Sequence, residues 1–120
     1  MSVSILLVDD EPSFREELME ALEFEGFIVD AVGSVRKAVE VCEENAFDLI
    51  ITDLKMSTAC GLDLLRALQK LETPPLAFVL SGYDPESIRR EVTRLGAAHC
   101  FSKPINPDVL VEHISMHLPS

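Results

Sequence analysis

The sequence predicts an α/β fold built on one doubly wound parallel sheet, and two observations carry that prediction. Five short apolar runs, VSILLV (3–8), FIVDA (27–31), DLIIT (48–52), LAFVL (76–80) and AHCFS (98–102), are rich in β-branched or aromatic residues and read as strands. They alternate strictly with five amphipathic stretches, which implies right-handed crossovers and helices on both faces of a parallel sheet. The hydrophobic fraction of 48% agrees with strands covered on both sides. A chain of 120 residues is one domain's worth and can bury one core.

Each helix has its own signals. The stretch 12–25 begins at Pro12, a good first helical position, and stops before Gly26. Phe14, Leu18, Leu22 and Phe24 recur along it at helical spacing, with acids opposite. Residues 35–45 follow Ser34 as N-cap. Residues 61–71 carry Leu62, Leu65 and Leu68 on one stripe. Residues 85–95 start from Asp84 and Pro85 and end before Gly96. Residues 107–118 start from Asn106 and Pro107 in the same way. No repeat, linker or low-complexity tract interrupts the pattern.

In a sheet of this kind the ligand site lies beyond the carboxyl ends of the strands, where strand order reverses. After the first strand come Asp9, Asp10 and Glu11. After the third comes Asp53, after the fourth Ser81 and Gly82, and after the fifth Lys103 and Pro104. The second is followed by Val32 and Gly33, which bring no chemistry. Carboxylates, a hydroxyl and an ammonium are therefore expected on one rim. Two carboxylates ~5 Å apart repel by roughly 3 kcal/mol at an effective dielectric near 20. A third would force protonation or distortion unless a cation sits among them, and hard oxygen ligands suit Mg²⁺. A metal beside a further carboxylate, a lysine and a hydroxyl points to phosphoryl transfer, with Asp53 as nucleophile. Lys103 and Ser81 would then contact phosphoryl oxygens.

Composition excludes other classes. The net charge of −11 argues against direct contact with nucleic acid and against docking on an anionic membrane. No run is long enough to span a bilayer, and the start lacks the basic region of a signal peptide, so a cytoplasmic location is expected. Cys42, Cys60 and Cys100 are odd in number and lack a C-x-x-C spacing, so reduced thiols are expected. His113 and His117 lie one turn apart without an H-E-x-x-H frame and read as a surface helix face; His99 reads as a partly exposed rim residue. Arg89, Arg90 and Arg94 read as a solvated face or, alternatively, as a docking surface for an acidic partner or second copy.

The motifs ILLVDDE, LIITDLKM, LSG and FSKP, in this order and spacing, closely resemble the receiver domain of bacterial two-component response regulators, over essentially the whole chain. The resemblance implies a single receiver domain, 1–120, with the flavodoxin-like, CheY-like strand order 2-1-3-4-5. It implies Asp53 as phosphoacceptor, served by a sensor histidine kinase or a histidine phosphotransfer protein. It implies Mg²⁺, with Mn²⁺ as substitute, held by Asp9, Asp10, Asp53 and the backbone carbonyl of Lys55. Ser81 and Lys103 become the switch hydroxyl and the phosphate-binding lysine, and Lys103-Pro104 a cis peptide. Such a domain catalyses its own phosphorylation and dephosphorylation, so whether it counts as an enzyme is a matter of definition. A homodimer through the fourth helix, fifth strand and fifth helix also follows from the resemblance.

Two departures from the family pattern stand out. The fifth strand carries Cys100 where the family has an aromatic residue that rotates on switching, with Tyr83 a candidate for the missing bulk. The loop after the phosphoacceptor reads MSTACG, with Ser57 in place of proline, and should be looser. Cys100 favours an alternative in which the chain is a phosphorylation-silent interaction module of the same fold. A metal-dependent phosphatase would need a second aspartate two residues after Asp53, where this chain has Lys55.

Overall fold

The computed structural model describes residues 2–54, 61–82 and 86–118, with Ser87 described by its backbone alone. The elements alternate as β1 (Ser4–Val8), α1 (Pro12–Phe24), β2 (Ile28–Val32), α2 (Val35–Glu44), β3 (Leu49–Asp53), α3 (Gly61–Leu68), β4 (Leu76–Ser81), α4 (Glu86–Arg94), β5 (His99–Ser102) and α5 (Pro107–His117). All strands pair in parallel, in the order β2-β1-β3-β4-β5. The chain steps one way from β1 to β2 and the other way from β1 to β3. That reversal lies where Asp9, Asp10 and Asp53 leave the sheet, and it opens the crevice that ligands of such sheets occupy.

Alternation along each strand divides the interior into two layers. Ile5, Leu7, Leu49, Ile51, Phe78, Leu80 and Phe101 face α1 and α5, where they meet Leu18, Leu22, Leu110 and Ile114. Leu6, Val8 and Ile50 face α2 and α3, with Ala38, Leu64 and Leu68. Ala77 and Val79 continue that side toward α4, with Leu65, Val92 and partly buried Cys100. The central strands are apolar without interruption because both their faces are covered, which is the signal the sequence carries. Each fully buried Leu or Ile contributes roughly 1.5–3 kcal/mol of transfer free energy.

The expected helix starts are present. Ser34 accepts a hydrogen bond from the Lys37 N–H at 3.1 Å, and Asn106 accepts one from the Asp108 N–H at 2.9 Å. Pro12 and Pro107 open α1 and α5. Gly26 and Gly96, just past α1 and α4, take φ of 95° and 101°, a conformation that closes helices at little cost only for glycine. The helix stripes need two corrections. Phe24 is 89% exposed, not part of the core. It sits two residues beyond Leu22, about 200° around the helix, so it points away from the sheet. On α3 the buried residues are Leu64, Leu65 and Leu68, while Leu62 is only half-buried. The helix lies against two neighbours, so two adjacent positions are buried. Strand and helix bounds otherwise differ from expectation by one to three residues, and Asp53 and Ser81 end their strands rather than follow them.

A histidine cluster forms where β5 meets α5. His99 packs edge-on against Phe78 with centroids 5.5 Å apart, and lies near Phe101 and His113 as well. Burial, and then positive charge on His113 and His117, hold the His99 pKa below its ordinary value near 6.5. Between that lowered value and 6.5 the folded chain binds fewer protons than the unfolded one. This contribution to stability is therefore present above pH 6.5 and is lost as pH falls through the folded value. In metal-free buffer, urea denaturation should show a smaller loss of stability between pH 7.5 and 5.5 for His99→Gln than for the natural chain. An equal loss in both would contradict the assignment. Cys42, on α2, is half-buried, and burial pushes its thiol pKa up, consistent with a small core residue.

Candidate functional site

Register brings the strand ends level. Val8 lies opposite Thr52, Asp53 opposite Leu80, and Ser81 opposite Ser102. The residues following β1 and β5 therefore converge with the last residues of β3 and β4. One carboxylate oxygen from each of Asp9, Asp10 and Asp53 lies within 4.8 Å of the others. Asp9 is 1% exposed and Asp53 8%. Three acids this close, two of them buried and Asp10 partly so, require compensation.

Lys103 supplies part of it. Its Nζ stands 3.4 Å from Asp9 Oδ2 and 3.3 Å from Asp53 Oδ2. Two contacts aim the ammonium there: the Lys103 N–H donates to the Ser81 carbonyl at 2.8 Å, and Nζ lies 4.6 Å from the centre of the Phe14 ring. The Lys103-Pro104 peptide is cis, as expected. Three carboxylates against one ammonium leave two net negative charges. The backbone helps hold Asp9: its Oδ1 accepts from the Glu11 N–H at 2.9 Å, beside the positive end of α1. Ser81 is buried at the same rim, and Gly82 beside it leaves open space.

The donor set fits Mg²⁺. Octahedral Mg–O bonds of about 2.0–2.1 Å call for ligand oxygens about 2.9–4.2 Å apart, and the three carboxylate oxygens, all within 4.8 Å of one another, would suit such an ion. Imidazole and thiolate ligands, which select softer metals, are not among this trio.

The expected rim residues Asp9, Asp10, Asp53, Ser81 and Lys103 thus meet. The Lys55 carbonyl, Ser57, Cys60, Tyr83 and the Asp84–Pro85 start of the fourth helix lie outside the described residues. Cys100 faces α4, paired in register with Val79, so the position expected to hold a ring is filled by a thiol.

Four residues were missed. Arg15 donates from Nη1 to the Asp9 carbonyl at 2.9 Å. A Cβ on Gly33 would lie 2.9 Å from that nitrogen, so Gly33 contributes space where its lack of a side chain seemed to contribute nothing. Phe14 caps the lysine. Arg15 and Phe14 both sit in the first turn after the acid pair, which was a usable signal. Gly61 opens α3 against Asp53. A Cβ there would lie 2.6 Å from the Asp53 carbonyl oxygen and 3.0 Å from Leu54 Cα, both rigid backbone atoms. Gly61→Ala should therefore cost about 1–3 kcal/mol. Thermal denaturation should show Tm lowered by roughly 5–10 °C.

Comparison with known proteins agrees with this geometry. A model of the family described as response regulator receiver domain matches residues 5–115. The chain is 32% identical over 118 residues to an uncharacterized 14.6 kDa protein of Leptolyngbya boryana, covering 96% of this chain and 89% of that one. It is 31% identical over 119 residues to the transcriptional regulatory protein YvrH of Bacillus subtilis, covering 98% of this chain but only 49% of YvrH. It likewise spans 54% of the acid tolerance regulatory protein ActR of Rhizobium meliloti. A CheY-like response regulator receiver domain protein from Methanospirillum hungatei superposes with a TM-score of 0.91 at 28% identity, over 97% of this chain and 93% of that one. Fold, rim and family match coincide over nearly the whole chain, which belongs to the response regulator receiver domain family.

Proposed function

We propose that residues 1–120 form one receiver domain that accepts a phosphoryl group on Asp53 from the phosphohistidine of a sensor histidine kinase or a histidine phosphotransfer protein. The observation that carries this reading is the double placement of Lys103, within 3.4 Å of both Asp9 and Asp53, in a rim crowded with three carboxylates. An Asp53 oxygen attacks phosphorus, the P–O bond forms as the P–N bond breaks, and the imidazole leaves with a proton. Lys103 follows the charge from the Asp53 carboxylate to a phosphoryl oxygen. Ser81 donates its hydroxyl proton to another phosphoryl oxygen. Asp9 and Asp10, with Asp53, would hold Mg²⁺, for which Mn²⁺ substitutes. When bound, the ion neutralises charge on the transferring group.

The test is incubation with Mg²⁺ and a small phosphodonor such as acetyl phosphate, followed by mass spectrometry of the intact chain and its peptides. The expected result is one phosphoryl group per chain, dependent on Mg²⁺ and located at Asp53. No incorporation, or incorporation elsewhere, would overturn the proposal. No incorporation would favour the second reading, a phosphorylation-silent interaction module, for which Cys100 in the place of a switching ring is the supporting feature. Lys103→Met should retain Asp53 yet slow incorporation by about 10²–10³-fold, the usual cost of removing one preorganised charge partner. Single-turnover rates at saturating donor measure it.

The output surface we assign to α4, β5 and α5, where a second copy could dock. On α4, Arg94 is engaged by Glu91 at 2.7 Å, and Glu91 also reaches Arg66 at 4.0 Å, so part of the arginine density is neutralised within the chain. Among the described residues no helix is long and apolar enough to cross a membrane. We place the domain in the cytoplasm, where kinases supply phosphohistidine, without direct contact to nucleic acid.

A further inference from the structure

His99 opens β5 and faces the α5 side of the sheet. Two further imidazoles approach it from α5, His113 and His117, which share a helix face because they are four residues apart. The His113 and His117 rings stand 4.8 Å and 5.0 Å from the His99 ring, centre to centre. Nε2 of His99 and Nε2 of His117 are 2.9 Å apart. All three rings rest on an aromatic floor of Phe78 and Phe101. Four residue steps of extended chain, roughly 13 Å, separate His99 from Lys103, so phosphoryl transfer has no use for this cluster.

We propose that His99, His113 and His117 form a site for a borderline divalent transition ion, Zn²⁺, Ni²⁺ or Cu²⁺, at the end of β5 remote from the carboxylates.

Ring spacing supports it. With metal–nitrogen bonds of about 2.0–2.1 Å, imidazole centres lie about 3.2 Å from the ion, and two bound rings stand about 4.5–5.2 Å apart for angles between 90° and tetrahedral. Both ring separations fall inside that interval. The 2.9 Å between the two Nε2 atoms matches adjacent corners of a right-angled coordination sphere, as Cu²⁺ and Ni²⁺ prefer. Tetrahedral Zn²⁺ needs about 3.3 Å, which rotation of the exposed His117 ring provides.

Hydrogen bonding supports it as well. His113 Nδ1 lies 2.9 Å from the Val109 carbonyl, which can only accept, so Nδ1 carries the proton and Nε2 the lone pair. A second-nitrogen bond of this kind is how metal-bound imidazoles are usually held. Between His99 and His117 one Nε2–H donates to the other Nε2. On binding, the donating ring moves that proton to its Nδ1, so neutral rings take the ion with no net proton release. No His113 nitrogen lies within 4.8 Å of both nitrogens of the close His99–His117 pair, so closing all three on one point requires the His113 side chain to turn. Mg²⁺, a hard ion that keeps oxygen ligands, does not compete here. A bound ion would tie the last turn of α5 to β5.

The experiment uses untagged protein, treated with chelator, desalted, and titrated calorimetrically with NiCl₂ or ZnCl₂ in a non-thiol reductant and in excess MgCl₂, which fills the carboxylate rim. One ion per chain at micromolar Kd is expected, with Tm raised on the order of 5 °C in excess ion. His99→Gln and His117→Gln should each weaken binding at least tenfold, while Met116→Ala, an exposed change on the same helix, should leave it unchanged. Histidine ring resonances should shift on addition of Zn²⁺. If His99→Gln unfolds, the exposed His117→Gln carries the test. Absence of binding below millimolar ion, or equal binding by the His117 variant, would overturn the site. Binding seen only when MgCl₂ is left out would assign the ion to the carboxylates instead and overturn it equally.

Discussion

Asp53→Asn is expected to abolish phosphoryl incorporation while leaving the fold in place. The amide has no carboxylate oxygen to attack phosphorus, since its nitrogen lone pair is delocalised and its oxygen is a poor nucleophile. The change in stability should be small because two effects oppose. The variant loses the ion pair between Lys103 and Asp53 at 3.3 Å, but it also removes the repulsion of Asp53 by Asp9 and Asp10, whose carboxylate oxygens lie within 4.8 Å. Lys103 keeps its contact with Asp9 at 3.4 Å, so its ammonium is not left stranded. Intact mass after acetyl phosphate treatment should show no added phosphoryl group, and Tm should move by no more than a few degrees. Retained incorporation would mean that another residue accepts the group. A large fall in Tm would mean that Asp53 is chiefly structural.

The fold was legible because its signals are local. Uninterrupted apolar runs such as LIIT mark strands covered on both faces, and Pro12, Ser34, Asn106 and Pro107 mark helix starts by the backbone chemistry they require. The site was legible for a different reason. Once a parallel sheet is inferred, Asp9, Asp10, Asp53, Ser81 and Lys103 share an edge by topology alone, however far apart they lie in sequence. What could not be read depends on angles around helices and on which rings meet. Phe24 belongs to an apolar-looking stretch, yet a 200° rotation from Leu22 turns it to solvent. Arg15 and Gly33 are complementary only because the end of β2 passes over the first turn of α1. The histidines were the clearest case. Two on α5 and one on β5 are separated by fourteen and eighteen residues, and only the packing of α5 along the sheet edge brings their rings together.

The ring contacts of that packing centre on one residue, and its removal should have the largest effect on stability. Phe78 is fully buried in β4, opposite Ile51 on one side and His99 on the other. Its ring lies 5.4 Å from Phe101, 5.5 Å from His99 and 5.8 Å from His117. Phe78→Ala should cost about 3–5 kcal/mol, the transfer free energy of the ring plus the cavity it leaves. Domains of this size are stable by only about 5–15 kcal/mol, so the urea midpoint should fall steeply, and Tm by roughly 10–20 °C. The damage should not be uniform. β5 pairs with β4 alone, and the C-terminal half of α5 reaches the sheet through the rings that Phe78 supports as well as through Leu110 and Ile114, so amide exchange should rise first in β5 and α5. A cavity beside His99 also lessens its burial. Its pKa should move back toward the ordinary histidine value, and the part of the acid-induced loss of stability owed to His99 should shrink. A variant that loses stability evenly across the sheet, with His99 titrating as before, would show that the ring fills space without organising the β5–α5 edge.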